Sequence, residues 1–180
     1  MSFSTLLQNI ADAEQGPKTC AVFDFDGTII SGYSATAFLK DQIARGEISP
    51  ADLVQLTQAA TRFGIGSLGF SALMAVHAQY LAGRSEADYV ANSERLFRRA
   101  IAKLIYPEAR QLIEAHRAAG HSIAIISSAT LYQVLPAARD LGIEHVCATN
   151  LEVEDGQFTG GVVQPTCFGI GKVHAAERFT

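Results

Sequence analysis

Short apolar runs alternate with segments of helical periodicity in this chain. Apolar runs at 19–25, 122–126 and 145–148 predict buried strands. Helices are predicted in between, at 107–119, where Pro107 begins the helix and Gly120 ends it, and at 131–141. Together these elements follow a β-α-β-α-β order. That order predicts an α/β fold with a Rossmann-like parallel sheet and right-handed crossovers, in which ligands bind at the carboxyl ends of the strands.

The segment between the first two strands predicts helices only. Ser49 is the N-cap and Pro50 the first helical residue of a helix over 51–62, which Gly64 ends. Gly83 ends another helix. Ser85-x-x-Asp88 is a capping box for a third helix, which runs to about Lys103. Residues 33–103 are therefore predicted to form a helical cap inserted into an α/β core made of residues 1–32 and 104–180.

Two smaller elements are also predicted. The apolar segments 151–153 and 158–163 flank Glu154-Asp155-Gly156-Gln157, which predicts a small β-hairpin beside the site. Near the N-terminus, apolar residues recur at helical spacing: Phe3, Leu6, Leu7 and Ile10. Such a helix is compatible with a membrane surface or a partner, but its polar residues include no Lys or Arg. Packing against its own domain is favoured.

Composition narrows the class of protein. With 180 residues, 48% hydrophobic and 18% charged, the chain predicts a folded globular protein. The net charge of −4 and the scattered basic residues argue against nucleic acid or an anionic membrane as partner. No apolar stretch approaches the ~18 residues of a membrane span. Three widely spaced cysteines suggest neither a disulfide framework nor a zinc site, which favours a reducing, cytoplasmic location.

The richest motif is Asp24-Phe25-Asp26-Gly27-Thr28, which ends the first apolar run. Side chains in a strand repeat every second residue, so the two carboxylates are expected to point the same way. Like charges this close raise the pKa of one partner, which leaves one Asp ionised and the other protonated at neutral pH when a cation is nearby. Gly27 would let the backbone turn close to phosphate oxygens and offer N–H donors to them. The motif predicts phosphoryl transfer.

This motif resembles the first motif of the haloacid dehalogenase superfamily of phosphohydrolases. Within that superfamily the chain resembles the phosphoserine-phosphatase-like group, particularly the domain found fused ahead of a glycerolipid acyltransferase. The resemblance runs from about Thr19 to the last residue, and the phrases that carry it are Ser31-Gly32-Tyr33-Ser34-Ala35, Ile105-Tyr106-Pro107-Glu108-Ala109-Arg110, Ser127-Ser128-Ala129-Thr130 and Leu151-Glu152-Val153-Glu154-Asp155-Gly156.

The resemblance implies a role for each motif residue. Asp24 would be the nucleophile that forms an aspartyl-phosphate, and Asp26 the general acid and base. Gly27, Thr28, Ser127, Ser128 and Lys172 would bind phosphate. Of the two serines, Ser127 is favoured as the phosphate donor and Ser128 as an ordinary helix cap. Lys172, which follows Gly169-Ile170-Gly171, would compensate the charge of Asp24 and phosphate.

Two departures from the group affect substrate and metal. Phosphoserine phosphatases carry a Glu nine residues after the nucleophile, where this chain has Tyr33, so phosphoserine is a weak prediction. The group also completes its magnesium site with an acidic fourth motif beyond the lysine, and only Val173 to Thr180 follow Lys172. Mg²⁺ would then be held by Asp24, the backbone carbonyl of Asp26, phosphate and water, which predicts weak binding and a chain truncated before that motif.

Three functions remain open on the sequence alone. The leading one is a magnesium-dependent phosphomonoester hydrolase acting on a small phosphorylated metabolite or a lipid-related substrate. The second is a non-catalytic phosphate-binding or regulatory domain of a longer acyltransferase protein, and the third a structural fragment. Without the strand of the fourth motif, the strand at 20–25 would lie at a sheet edge. The sequence therefore also predicts a homodimer, or a segment such as the N-terminal helix covering that edge.

Overall fold

The computed structural model describes residues 2–177. Its main sheet has three parallel strands, β1 (Cys20–Phe23), β2 (Ser122–Thr130) and β3 (His145–Thr149), in the order β1-β2-β3. β4 (Leu151–Glu154) and β5 (Gln157–Val162) form a separate antiparallel hairpin. The predicted parallel sheet and hairpin are confirmed. The second strand is longer than the sequence predicts, because it continues through Ser127 to Thr130.

Helices pack around this sheet and fill the segment between β1 and β2. They are α1 (Phe3–Ala11), α2 (Ser34–Ala44), α3 (Pro50–Gly64), α4 (Phe70–Leu81), α5 (Glu86–Arg99), α6 (Pro107–Ala118), α7 (Leu131–Asp140) and α8 (Ile170–Ala176). Among residues 2–177, no helix is both long and apolar enough to cross a bilayer. The N-terminal helix α1 packs against α6 and buries Ile10, as its apolar spacing predicts.

The helix starts within the segment between β1 and β2 follow the capping signals of the sequence. The Ser49 hydroxyl accepts a hydrogen bond from the Asp52 N–H at 3.1 Å, and Pro50 is the first residue of α3. The Ser85 hydroxyl accepts one from the Asp88 N–H at 3.2 Å at the start of α5. The end of α5 differs from the prediction, since the helix stops at Arg99 and a short 3-10 helix follows at Ile101–Leu104.

The two connections between the sheet and the helical segment lie side by side. The Ser31 N–H donates to the Leu104 carbonyl at 2.8 Å, and Ile30 and Ile105 form an antiparallel bridge. Ile30 is fully buried. The chain thus leaves and re-enters the α/β part at one place. The division at residues 33 and 103 stays a prediction.

The β4-β5 hairpin packs against the inserted helices. The Gly83 N–H donates to the Phe158 carbonyl at 2.8 Å, and the Phe158 N–H donates to the Arg84 carbonyl at 3.0 Å. The Phe158 side chain is buried in the shared apolar core with Tyr89 and Tyr132. Tertiary contacts therefore join the hairpin to α4 and the start of α5, which its sequence does not indicate.

A partly buried histidine on α4 is expected to make the stability of the fold dependent on pH. The Nε2 atom of His77 is buried without a hydrogen-bond partner, and burial lowers the pKa of His77 from 6.5 to about 4. The stabilising contribution of the neutral ring is complete above pH 6.5 and is lost as the pH falls toward 4. At pH 5 the loss amounts to about 2 kcal/mol of the free energy of unfolding.

We expect His77→Leu to remove most of this acid sensitivity, because leucine fills a similar volume and takes up no proton in the unfolded chain. Urea unfolding at pH 8 and pH 5 would measure the effect. The exposed Ala75 on the same helix supplies a control variant, Ala75→Leu, which adds a leucine without removing a titratable group and should keep the wild-type pH dependence. An unchanged difference between the two pH values in His77→Leu would refute the assignment.

Candidate active site

Asp24 directly follows β1 and meets Lys172 from the other end of the chain. Its Oδ1 accepts a hydrogen bond from the Phe25 N–H at 2.8 Å, and its Oδ2 lies 2.9 Å from Lys172 Nζ. The Asp24 side chain is 42% exposed and that of Lys172 30%. A pair this exposed contributes little to stability. Its importance is that it places a carboxylate and an ammonium group together at the carboxyl end of β1.

Lys172 is held in place by two glycines on either side of Ile170. Gly169, the residue before α8, has a φ of +54°, a conformation that side chains disfavour. Gly171 is packed so closely that a Cβ there would lie 2.0 Å from the Thr166 carbonyl oxygen. The loop before α8 therefore requires glycine at 171, and this close packing fixes where α8 presents Lys172.

Asp26 is bound by the first residue of α2. The Ser34 N–H donates to Asp26 Oδ1 at 2.7 Å, and the Ser34 hydroxyl donates to Oδ2 at 3.2 Å. Ser34 is fully buried. Both oxygens of Asp26 are therefore held by one residue, which fixes the orientation of this carboxyl.

The pKa of Asp26 is raised above its ordinary value, chiefly because burial penalises the charged form. The two Ser34 hydrogen bonds oppose the rise, the charge of Asp24 adds to it, and Lys172 lowers it. The sequence predicts one carboxyl with a raised pKa from the repulsion of its partner. The structure gives that direction for Asp26 but makes burial the larger cause.

We expect Ser34→Ala to raise the pKa of Asp26 further, because it removes one of the hydrogen bonds that favour the ionised carboxylate. NMR titration of the carboxyl carbons would follow this. The backbone N–H of residue 34 remains, so α2 should still form. A downward shift, or none, would contradict this account of the Asp26 environment.

Ser127 lies where β2 leaves the regular ladder. Ile126 pairs with Cys147 and Thr130 with Thr149, so the intervening residues of β2 bulge out of the sheet. The Ser127 side chain is buried, and its Oγ accepts a hydrogen bond from the Ala129 N–H at 3.2 Å. Accepting that bond leaves the hydroxyl proton available to a phosphate oxygen. The assignment of Ser127 to phosphate binding stays a prediction.

The helix cap at this place is Thr130 and not Ser128. The Thr130 N–H donates to the Gln133 side chain at 2.7 Å within a capping box that begins α7. Ser128 lies inside β2, partly exposed, and its carbonyl accepts a hydrogen bond from the Thr149 hydroxyl at 2.9 Å. The sequence-based view of Ser128 as an ordinary cap is therefore wrong, because β2 continues beyond the apolar residues that mark it.

The loop after Asp26 uses its own backbone donors. Gly27 has a φ of +74°, and its N–H donates to the Gly32 carbonyl at 2.9 Å. The Thr28 N–H points to the Phe25 carbonyl at 3.3 Å. In this conformation the turn itself binds the Gly27 N–H, so that group is not available to a phosphate oxygen. A phosphate-binding role of Gly27 and Thr28 stays a prediction that would depend on the Thr28 hydroxyl and on the shape of the turn.

The inserted helices reach the loop that precedes Lys172. Phe168 stacks on Phe70 of α4 at 4.5 Å between ring centroids, and Phe63 of α3 contacts both rings edge-on. The Ser71 and Thr166 hydroxyls are 3.1 Å apart. Phe38 and Met74 of the inserted helices are buried in the apolar core that they share with the α/β part, and Phe63 and Phe70 contact Phe168 in the loop before α8.

The site offers only a few oxygen atoms that could bind a metal ion. No group of three or more His, Cys, Asp and Glu side chains within residues 2–177 could hold a metal ion. Asp24 and Asp26 are the acidic pair at the end of β1, and the partly exposed Asp24 carboxylate keeps lone pairs beyond its two contacts. This donor type suits a hard cation such as Mg²⁺.

Sequence reasoning missed two residues that shape the site. Ser34 follows Asp26 by eight positions, and its place at the start of α2 was the available signal, since helix N-termini attract carboxylates.

Cys167 is buried, and its N–H donates to the Thr149 hydroxyl at 3.3 Å. Burial is the first cause that raises the pKa of its thiol and Cys147 the second, while Lys172 lowers this pKa and Asp24 raises it by smaller amounts. Nothing in its sequence context indicates that location.

Comparison with known proteins identifies the family. Residues 21–180 match the model of the haloacid dehalogenase-like hydrolase family. This chain therefore belongs to that family, as the motif at Asp24–Thr28 predicts.

Particular relatives carry phosphatase names. The chain is 32% identical to the probable phosphatase Rv3661 of Mycobacterium tuberculosis, over 89% of this chain and 57% of that protein. It is also 32% identical to the phosphoserine phosphatase SerB1 of the same species, over 87% of this chain and 52% of the relative. The chain thus spans about half the length of these curated relatives.

Solved structures agree on the fold. A protein of unknown function from Bordetella pertussis Tohama I superposes with a TM-score of 0.81 at 24% identity, over 89% of this chain and 73% of that chain. A structure described as a phospho-aspartyl intermediate analogue of phosphoserine phosphatase superposes with a TM-score of 0.54 at 21% identity, over 81% and 63% of the two chains. Both comparisons support the α/β architecture.

Proposed function

We propose that this chain hydrolyses small phosphomonoesters through an aspartyl-phosphate on Asp24. The observation that carries the proposal is the contact of Asp24 Oδ2 with Lys172 Nζ at 2.9 Å, beside a carboxyl of raised pKa at Asp26. A carboxylate paired with an ammonium group suits a nucleophile, and a carboxyl whose pKa is raised above its ordinary value is better suited to act as a general acid. The phosphatase names of the relatives support the same reaction class.

The proposed hydrolysis has two steps, with Asp24 as the nucleophile and Asp26 as the general acid and base. An Asp24 oxygen bonds to phosphorus as the ester P–O bond breaks, and Asp26 gives its proton to the departing alkoxide. Asp26 then takes a proton from water, whose oxygen attacks phosphorus and releases inorganic phosphate and the Asp24 carboxylate. Lys172 would offset the negative charge of the phosphoryl group, and the Ser127 hydroxyl would donate to one of its oxygens.

The oxygen donors of Asp24 and Asp26 fit magnesium as a cofactor. Asp24 and Asp26 would supply its protein oxygens, and the sequence predicts that their binding of the free ion is weak. When bound, a magnesium ion neutralises charge on the transferring phosphoryl group. Lys172 and Ser127 would position the phosphoryl group, and Ser34 orients the Asp26 carboxyl.

The substrate is proposed to be a small phosphorylated metabolite. The position where phosphoserine phosphatases carry a Glu holds Tyr33, which is largely exposed at the start of α2. An exposed phenol cannot pair with an ammonium group as a carboxylate does, so we do not assign phosphoserine. A cytoplasmic location and a fused acyltransferase domain remain predictions from the sequence.

A panel of assays on this chain tests the proposed function. Turnover of p-nitrophenyl phosphate would be measured with Mg²⁺ and with EDTA, and ¹⁹F NMR would detect a beryllofluoride adduct, which mimics an acyl phosphate. We expect magnesium-dependent turnover and an adduct that requires Asp24. Absence of both turnover and adduct, or an adduct that survives in Asp24→Asn, would overturn the proposal.

We also propose that the isolated chain self-associates through β1. Within residues 2–177, β1 pairs on one side only, with β2, and Val22 on it is 51% exposed. Unpaired N–H and C=O groups on an apolar edge strand favour pairing with another chain. Light scattering after size exclusion at several concentrations should show a dimer, and a monomer at every concentration would contradict this.

A further inference from the structure

A cavity of about 430 Å³ lies between the start of α2 and the end of α5. Its volume falls within the range of sites that bind small molecules. Both connections between the sheet and the inserted helices contribute to its lining, through Ser31 to Tyr33 on one side and Ala100 and Leu104 on the other. None of Asp24, Asp26, Ser127 and Lys172 lines it. These four residues of the proposed phosphoryl site lie outside the lining, whereas Tyr33, which precedes Ser34, is part of it.

Cationic side chains gather around one carboxylate at this cavity. Asp41, which is 3% exposed and lines it, is bound by Arg45 at 2.9 Å, by Arg95 at 3.3 Å and by Arg99. Arg45 has a second partner in Glu47. The arginines outnumber the acids that they contact, so the region keeps an excess of positive charge.

Two cations in the lining have capacity left for a ligand. The Arg99 side chain is 58% exposed, and its contact with Asp41 uses one of the nitrogens of a guanidinium that carries five N–H donors. Lys40 is exposed and has no ion-pair partner within residues 2–177. Lys40 and Arg99 both line the cavity, so an ammonium group and a guanidinium group are available to the same ligand.

The remaining lining is mostly apolar. It includes Ala37, Leu96, Ala100 and Leu104, with Thr36 and Tyr33 as polar neighbours. A bare inorganic anion would leave this apolar surface in contact with water. An organic acid with a hydrocarbon part would cover it and gain about 25 cal/mol for each Å² of apolar surface removed from water.

We propose that this cavity is a binding site for a small organic anion with an apolar body. Lys40 and Arg99 bind the acidic group through charge-assisted hydrogen bonds, and Ala37, Leu96 and Ala100 contact the hydrocarbon part. The site goes beyond the proposed hydrolysis, since Asp24, Asp26, Ser127 and Lys172 do not line it. Its ligand contacts both connections between the sheet and the inserted helices.

The test is isothermal titration of the chain with 4-phenylbutyrate, a carboxylate with an apolar tail. We expect a dissociation constant of about 1 mM or lower, and at least about tenfold weaker binding by Lys40→Gln, because one charge-assisted hydrogen bond is lost. Lys40 makes no ion pair with the residues that the structure describes, so this variant should fold normally. The matched control is Lys103→Gln, an exposed lysine of the neighbouring 3-10 helix that does not line the cavity and should bind as the wild type does.

Two further measurements separate this site from the phosphoryl site. The neutral analogue 4-phenylbutanol should bind at least about tenfold more weakly than the acid if charge recognition operates. Lys172→Gln should leave phenylbutyrate binding unchanged. The proposal is overturned by equal binding of alcohol and acid, by wild-type affinity in Lys40→Gln, by loss of binding in Lys172→Gln, or by no binding to 10 mM, a concentration about tenfold above the expected constant. None of these results bears on turnover by Asp24.

Discussion

Asp24→Asn is expected to reduce turnover of p-nitrophenyl phosphate by at least about 10³-fold, because an amide cannot act as the carboxylate nucleophile. The substitution keeps the shape of the side chain and removes its charge. Oδ1 would still accept from the Phe25 N–H, while the ion pair with Lys172 would be lost. Since that pair is partly exposed, the fold should persist. Steady-state rates and circular dichroism would be measured on the same preparation.

Asp155→Asn provides a matched control for this substitution. Asp155 lies in the turn between β4 and β5 with a φ of +50°, a conformation that Asn adopts readily. Its turnover should equal that of the wild type. Activity of Asp24→Asn within tenfold of the wild type would reject Asp24 as the nucleophile.

Gly171→Ala is expected to have the next largest effect, on both turnover and stability. The added Cβ would lie 2.0 Å from the Thr166 carbonyl oxygen, and backbone cannot move aside as a flexible side chain can. Either α8 or the preceding loop must shift, and Lys172 shifts with it. A displacement of about 1 Å at a reacting group lowers turnover by about 10²-fold. The free energy of unfolding should fall by about 1–3 kcal/mol, as for other overpacked sites.

Kinetics with p-nitrophenyl phosphate and urea unfolding would measure the two effects of Gly171→Ala. The matched control is Gly64→Ala at the end of α3, where an added Cβ meets nothing within 4 Å. That variant should retain wild-type turnover and equal or greater stability, since alanine has the higher helix propensity. Wild-type turnover and stability in Gly171→Ala would show that the close approach to Thr166 does not position Lys172.

The sequence by itself determined the elements whose signals are local. Apolar runs marked the strands β1, β2 and β3, and capping residues such as Ser49 and Ser85 marked helix starts, because both signals depend on neighbours within a few residues. The motif at Asp24–Thr28 likewise identified the family. Element ends were less well determined, since the extension of β2 through Ser127 depends on its pairing with β3.

The tertiary structure alone decided which distant residues meet. It placed Ser34 on Asp26, brought Arg95 and Arg99 of α5 to Asp41 of α2, and joined Phe158 of the hairpin to Arg84. None of these contacts is indicated by the residues that neighbour it in the sequence. A lone serine, a surface arginine pair and a short hairpin have the same sequence pattern whatever they pack against, because burial and partner choice are set by how the whole chain folds.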